Sequence, residues 1–230
     1  MGLYIMELNE NTLNVLRNFS DINQNILIKQ GSVLKSISEA RNVLATANVG
    51  DEFPKDFGIY DLNEFIGVLG LVDKPNLNFE DDFVTIGDST GRTKIKYFYS
   101  SEDTLTTPTK DITMPGFDVK FTLDSAVLDK IKRAASTLGH NEVSISNSNN
   151  IIKISVIDSQ NKTSHAFSID VDGDYAENSK FNFILNINNL KIIPDDYEVE
   201  ISSKLISQFS NSKMNLKYWI AMEKSSTFGV

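Results

Sequence analysis

Few residues in this chain could carry bond-making chemistry. It has two histidines, His140 and His165, and no cysteine. His140 follows an expected helix end, where a partial positive charge would complement the terminal carbonyls, and His165 falls on an expected edge strand; a structural role fits both better than catalysis. There is no HExxH, no nucleophile elbow and no His–carboxylate spacing of a triad. Gly87-Asp88-Ser89-Thr90-Gly91-Arg92-Thr93 has three residues between its glycines where a phosphate-binding loop needs four, with Arg92 in place of the lysine. It reads as a hairpin turn. Asp170-Val171-Asp172-Gly173-Asp174 has the composition of a calcium loop, but its glycine comes two positions too early, and Phe181 stands where a bidentate Glu belongs. A solvated acidic turn is the better account.

The remaining chemistry is electrostatic. Helical periodicity over 124–138 puts Leu128, Ile131, Ala135 and Leu138 on one face. Lys130 and Arg133 project roughly opposite, with Thr137 on the same line, Lys132 to one side and Asp129 partly offsetting them. In a helix expected over 9–22, Leu13, Leu16 and Phe19 form the apolar face, and Arg17 lies outward among Asn11, Asn14 and Asn18. Any one of these cations is ordinarily a solvated helix position. A case for phosphate contact, which positions a nucleic acid without reading its sequence, needs a geometry that composition does not supply.

The elements that would carry these faces occur twice. After the first helix come alternating strands around Ile26–Ile28 and Val43–Ala45, with Gly31 between them. A strand over Phe57–Tyr60 then runs into a short helix, with Asp61 as its N-cap and Leu62, Phe65, Ile66 and Leu69 at helical spacing. Further strands include the aromatic Lys94–Tyr99. After residue 118 the same order returns: the helix ending at Gly139, strands near 143–145, 152–156 and 166–169, and a second strand–helix unit over 181–193 broken by Pro194. Three strands close the chain, including Tyr197–Ile201 and Leu216–Glu223. The pattern predicts two α+β domains, residues 1–100 and 119–230, joined by a polar, proline-punctuated linker over 101–118, of which Leu105, Ile112, Met114 and Phe117 dock in part.

Composition agrees with two cores in 230 residues. No apolar run approaches the roughly 18 residues of a membrane span, and the N-terminus lacks the basic and apolar regions of a secretory leader. The net charge of −9 argues against nucleic acid at face value. Its distribution is uneven. Residues 1–118 hold 10 Lys+Arg against 18 Asp+Glu, and residues 119–230 hold 12 against 13. An acidic protein still attracts DNA where its cations converge, because fields are screened over about 10 Å.

The order and spacing of several segments resemble the sliding clamps, or DNA polymerase processivity factors, of T-even-type bacteriophages. They are Leu16-Arg17-Asn18-Phe19 with Ile22-Asn23; Ile59-Tyr60-Asp61-Leu62-Asn63 with Phe65, Gly67 and Leu71-Val72; Phe181-Asn182-Phe183-Ile184 with Asn186, Asn189 and Lys191; and Ala221-Met222-Glu223-Lys224-Ser225-Ser226-Thr227. The resemblance spans essentially the whole chain. It implies a DNA-clamp fold of two similar domains assembling as a homotrimeric ring, without an active site or cofactor. Such a ring encircles duplex DNA, is loaded by an ATP-driven clamp loader, tethers the replicative polymerase and serves late transcription, in the cytoplasm of the infected bacterial host.

By family position, Arg17, Lys130, Lys132, Arg133 and, more weakly, Lys191 would face DNA. Glu10 stands where related clamps carry a basic residue, so the first domain should attract DNA less. Head-to-tail closure would pair Lys94–Tyr99 with Ser164–Ile169 of the next subunit. Partner peptides would insert an apolar tail between the domains beneath the linker, with Phe117, Trp219 and Ile220 as walls; a core role for these three fits their types as well. The competing reading is a non-enzymatic, β-rich phage structural protein of a tail or baseplate, which shares the acidic, cysteine-free, Asn-rich composition.

Overall fold

Short apolar runs and their turn residues resolve in the N-terminal half into ten elements: β1 (Ile5–Glu7), α1 (Glu10–Ile22), β2 (Ile26–Ile28), β3 (Gly31–Ile37), β4 (Val43–Phe53), β5 (Phe57–Ile59), α2 (Leu62–Leu69), β6 (Asn76–Phe79), β7 (Phe83–Gly87) and β8 (Lys94–Phe98). The computed structural model describes residues 5–161 and 163–229. It divides between Lys110 and Asp111, inside the segment expected as a linker, into an N-terminal unit, which also takes in Met214–Leu216, and a C-terminal unit.

In the N-terminal unit the strands pair antiparallel in the orders β1-β6-β7-β8, β3-β4 and β2-β5. Helix α1 packs on β4 and α2. Its buried stripe is Thr12, Val15, Leu16, Phe19 and Ile22. Leu13 was expected there and is only half-buried; a residue advances about 100° around a helix, so Leu13 falls at the margin of the arc that Thr12 and Leu16 occupy. At α2 the expected cap is present, with the Asp61 carboxylate accepting from the Glu64 N–H at 3.0 Å. Residues 87–93 form a turn between β7 and β8, in which Asp88 accepts from the Thr90 hydroxyl at 2.7 Å and from the Arg92 N–H at 3.2 Å.

The C-terminal unit contains β9 (Val119–Leu123), α3 (Ser125–Leu138), β10 (Glu142–Ser148), β11 (Ile151–Ile157), β12 (Phe167–Val171), β13 (Gly173–Tyr175), β14 (Lys180–Asn186), β15 (Tyr197–Ser202), β16 (Ile206–Asn211), β17 (Leu216–Ala221) and β18 (Thr227–Gly229). One antiparallel sheet runs β12-β11-β10-β14-β18, and another contains β13-β9-β15-β16-β17. Helix α3 packs on β11 and β12. Between the layers, Tyr197, Tyr218 and Phe209 are almost fully buried, and the Tyr197 hydroxyl donates to the Ile193 carbonyl at 2.6 Å.

Three expectations are corrected. The second strand–helix unit has its strand, β14, but only a single 3-10 turn at Ile187–Asn189 follows it. The Asn186 side chain caps that turn by accepting from the Asn188 N–H at 3.0 Å, but Asn188 and Asn189 are weak helix formers and Pro194 disfavours helical geometry at Ile193. His165 lies in the loop before β12 rather than on the strand. Residues 170–174 are largely exposed, as expected, but make no turn; they carry the chain from β12 to β13 with only Asp172 between. A Cβ on Gly173 would come 2.5 Å from the Lys120 carbonyl oxygen and 2.5 Å from the Ile152 Cδ1, so the crossing needs glycine.

The segment after β8 begins firmly attached to the N-terminal unit. The buried Asn25 accepts from the Thr106 N–H at 2.9 Å, and Asn23 donates to the Thr106 carbonyl at 3.2 Å. Ser100 donates to the Gly58 carbonyl at 2.9 Å. A Cβ on Gly58 would collide with the Ser100 carbonyl oxygen and come 2.7 Å from the Leu105 Cδ1. Gly58→Ala should therefore lose about 1–3 kcal/mol of stability, the usual cost of overpacking. Urea denaturation should show a lower midpoint at unchanged slope.

Candidate nucleic-acid interface

Each unit presents one long helix whose inner stripe is apolar and whose outer stripe is polar. On α1 the exposed stripe is Glu10, Asn14, Arg17 and Asp21. The Arg17 Nη1 donates to the Asn14 Oδ1 at 3.3 Å. On α3, Leu128, Ile131 and Ala135 are buried, Leu138 is half-buried, and Asp129, Lys130, Arg133, Ser136 and Thr137 are exposed. The Arg133 Nη2 lies 2.7 Å from the Asp129 Oδ2, one helical turn earlier.

The five cations named from the sequence therefore fall in three settings. Arg17, Lys130 and Arg133 stand on exposed helix faces. Lys132 is half-buried, and its ammonium donates to the Ile192 carbonyl at 3.3 Å, which ties α3 to the segment before β15. Lys191 is exposed one residue before that carbonyl, beyond the 3-10 turn. The structure thus separates Lys132, which makes a tie within the fold, from its exposed neighbours.

What orients the two helices was not visible in the sequence. At α1, Asn9 caps by accepting from the Thr12 N–H at 2.8 Å, and Asp51 on β4 accepts from the Asn9 N–H at 2.8 Å and the Thr12 hydroxyl at 2.7 Å. At α3, Asp124 stands at the N-cap position but makes no side-chain cap bond. Asp196, from the loop before β15, accepts from the Ser125 N–H at 2.8 Å. That backbone bond above all, with Lys213 nearby, holds the Asp196 carboxyl below its ordinary pKa of 3.8. The other end of α3 closes at Gly139, in the left-handed region at φ 67°. There the His140 Nε2 lies 2.8 Å from the His165 carbonyl oxygen.

The three residues named for partner binding also divide. Phe117 is 51% exposed, with the Lys120 Nζ 5.5 Å from its ring centre. Along β17, Leu216, Tyr218 and Ile220 are completely buried, so the two-residue period puts Lys217, Trp219 and Ala221 on the opposite face. Ile220 belongs to the core. Trp219, 8% exposed, has its indole N–H buried without an acceptor among the described residues. The alternation Leu-Lys-Tyr-Trp-Ile-Ala was the signal that separates the pair.

At the sheet edges, β8 and β12 each lack a second neighbour among the described strands. Phe98 on β8 is 64% exposed and packs on Phe83 at 5.4 Å between ring centres. Among the described residues, no cluster of three or more His, Cys, Asp or Glu side chains could hold a metal ion, and no helix is long and apolar enough to cross a membrane.

This architecture is that of the sliding clamps. The proliferating cell nuclear antigen of Entamoeba histolytica superposes with a TM-score of 0.72 at 16% identity, over 97% of this chain and 100% of that one. The A. fulgidus protein of that class, solved with the C-terminal region of FEN-1 bound, gives 0.70 at 11% identity, over 97% and 99%. In sequence, residues 9–105 match the DNA polymerase processivity factor family, and residues 120–224 match the gp45 sliding clamp C-terminal family. The sliding clamp of Vibrio phage KVP40 is 32% identical over 224 residues, 95% of this chain and 99% of its own. That of Enterobacteria phage T4 is 29% identical over 230 residues, 96% and 99%. The chain belongs to the phage sliding clamps, the processivity factors of DNA polymerase, and this sets aside the reading as a tail or baseplate protein.

The Asp196 cap predicts a pH dependence. Because its folded pKa is depressed, the stabilisation it gives is present above its unfolded value near 3.8 and is lost as pH falls through the lower folded value. Asp196→Ala should lower the melting temperature at neutral pH by about 2–4 °C, as loss of a helix cap does. The acid limb of melting temperature against pH should become shallower than in the parent.

Proposed function

We propose that three copies of this chain close head to tail around duplex DNA, with the outer stripes of α1 and α3 toward the phosphates, and tether the replicative polymerase without catalysing a reaction. The observation that carries the proposal is the pairing in each unit of one capped, amphipathic helix with an exposed arginine on its polar stripe. Such a stripe attracts phosphate through counterion release but offers nothing that reads bases. Retention comes from topology, so weak attraction is an advantage. The stripe of α1 holds two carboxylates beside Arg17, and that of α3 holds Lys130 and Arg133 beside one, so the C-terminal unit supplies most of the attraction.

Ring closure through the edges of β8 and β12 would satisfy strand edges that are otherwise open to pairing. Partner proteins would dock in the C-terminal unit beside exposed Phe117 and on the face of β17 that carries Trp219. A clamp loader driven by ATP and the factors of late transcription complete the proposed partners, and the host cytoplasm is the place of action.

Light scattering should give a mass three times the 25.7 kDa of the chain, and polymerase products on a primed template should lengthen when loader and ATP are present. A stable monomer without effect on polymerase would overturn the proposal. Lys130→Glu combined with Arg133→Glu should weaken salt-dependent duplex association about tenfold or more at low salt and leave the trimer mass unchanged. Unaltered association in that variant would remove α3 from the DNA-facing surface.

A further inference from the structure

We propose that Asp129 is an internal stand-in for a DNA phosphate. It holds Arg133 when no phosphate is within reach and releases it when one arrives, so that α3 attracts a duplex without gripping it. The inference rests on the reading of α3 as DNA-facing.

Asp129 and Arg133 are one helical turn apart on the exposed stripe, with Nη2 and Oδ2 2.7 Å apart and side chains 59% and 70% exposed. An ion pair this exposed is weak and opens readily. The guanidinium fork fits two oxygens of a carboxylate or of a phosphate with similar geometry. Passing from Asp129 to a phosphate therefore exchanges one charge-assisted hydrogen bond for another, and the net gain is small. The carboxylate left behind lies well inside one screening length of the phosphate and repels it. Both effects make the energy well at each phosphate shallow, which is the property that lets a ring move from one phosphate to the next.

Lys130, also exposed on α3, has no ion pair or hydrogen bond among the described residues. It supplies unshared, long-range attraction, while Arg133 makes the short-range contact in exchange. On α1 the acceptor holding the arginine is the neutral side chain of Asn14, with Glu10 and Asp21 on the same stripe. The exchange with an ionised partner is thus a feature of the C-terminal unit.

The test is a cycle of full-length proteins, the parent, Asp129→Asn, Arg133→Gln and the double variant, with binding of a labelled duplex followed by anisotropy across a salt series. All the changes are at exposed positions. Asp129→Asn should tighten binding roughly three- to tenfold at low salt and steepen the salt slope by about one for each subunit that gains a phosphate contact, at most about three for the ring. In the Arg133→Gln background the tightening should largely disappear. Equal tightening in both backgrounds would mean that Asp129 acts only as a general negative charge, and would overturn the proposal. So would unchanged binding by Asp129→Asn where Arg133→Gln weakens it. Unchanged binding by Arg133→Gln together with Lys130→Gln would instead refute the DNA-facing reading of α3, and the proposal with it.

Discussion

A helix can present a defined polar face only if its rotation and its first turn are fixed. In this chain an aspartate from far along the sequence contributes to both. Asp51 reaches the start of α1 from β4 and accepts from Asn9 and Thr12, and Asp196 reaches the start of α3 and accepts from Ser125. Each carboxylate satisfies groups that the helix cannot satisfy itself, and its charge suits the positive end of the helix dipole. The buried stripe then fixes the rotation. With both constraints in place the exposed arginines sit where the sheet puts them rather than wherever a free helix would turn.

Charge is distributed with the same restraint. The chain carries 31 acidic against 22 basic residues, so attraction to a polyanion must come from local placement. The exposed cations of α3 give that placement while the overall acidity discourages indiscriminate binding to nucleic acid. A strongly basic channel would favour holding over movement.

Much of the fold was legible because local signals agreed with one another. Leu128, Ile131 and Ala135 repeat at helical spacing and Gly139 ends the helix. Asp61 precedes Leu62, Phe65 and Leu69 and caps as expected. Where local signals competed, the reading failed: Asn186 caps and the apolar residues after it look helical, but Asn188, Asn189 and Pro194 leave only one 3-10 turn. The candidate site was legible as a list of cations and not as an arrangement. Lys132 shares a helix with Lys130; its place to one side of the outer stripe was legible, but its tie to the Ile192 carbonyl was not. Asp196 lies 71 residues from the Ser125 N–H that it caps, and no local pattern reports such a contact. In β17, period-two alternation was present in the sequence and already separates Ile220 from Trp219.

The passage from β12 to β13 through Asp172 has a mechanical meaning. Two sheets of the C-terminal unit are joined there at their margins by a single residue, with Gly173 seated against the Lys120 carbonyl so closely that no side chain fits. A joint that short has no slack. Displacement of β12, the exposed margin of one sheet, must be taken up by β9 and β13 in the other, so the C-terminal unit responds to load at that margin as one stiff corner rather than as two independent leaves.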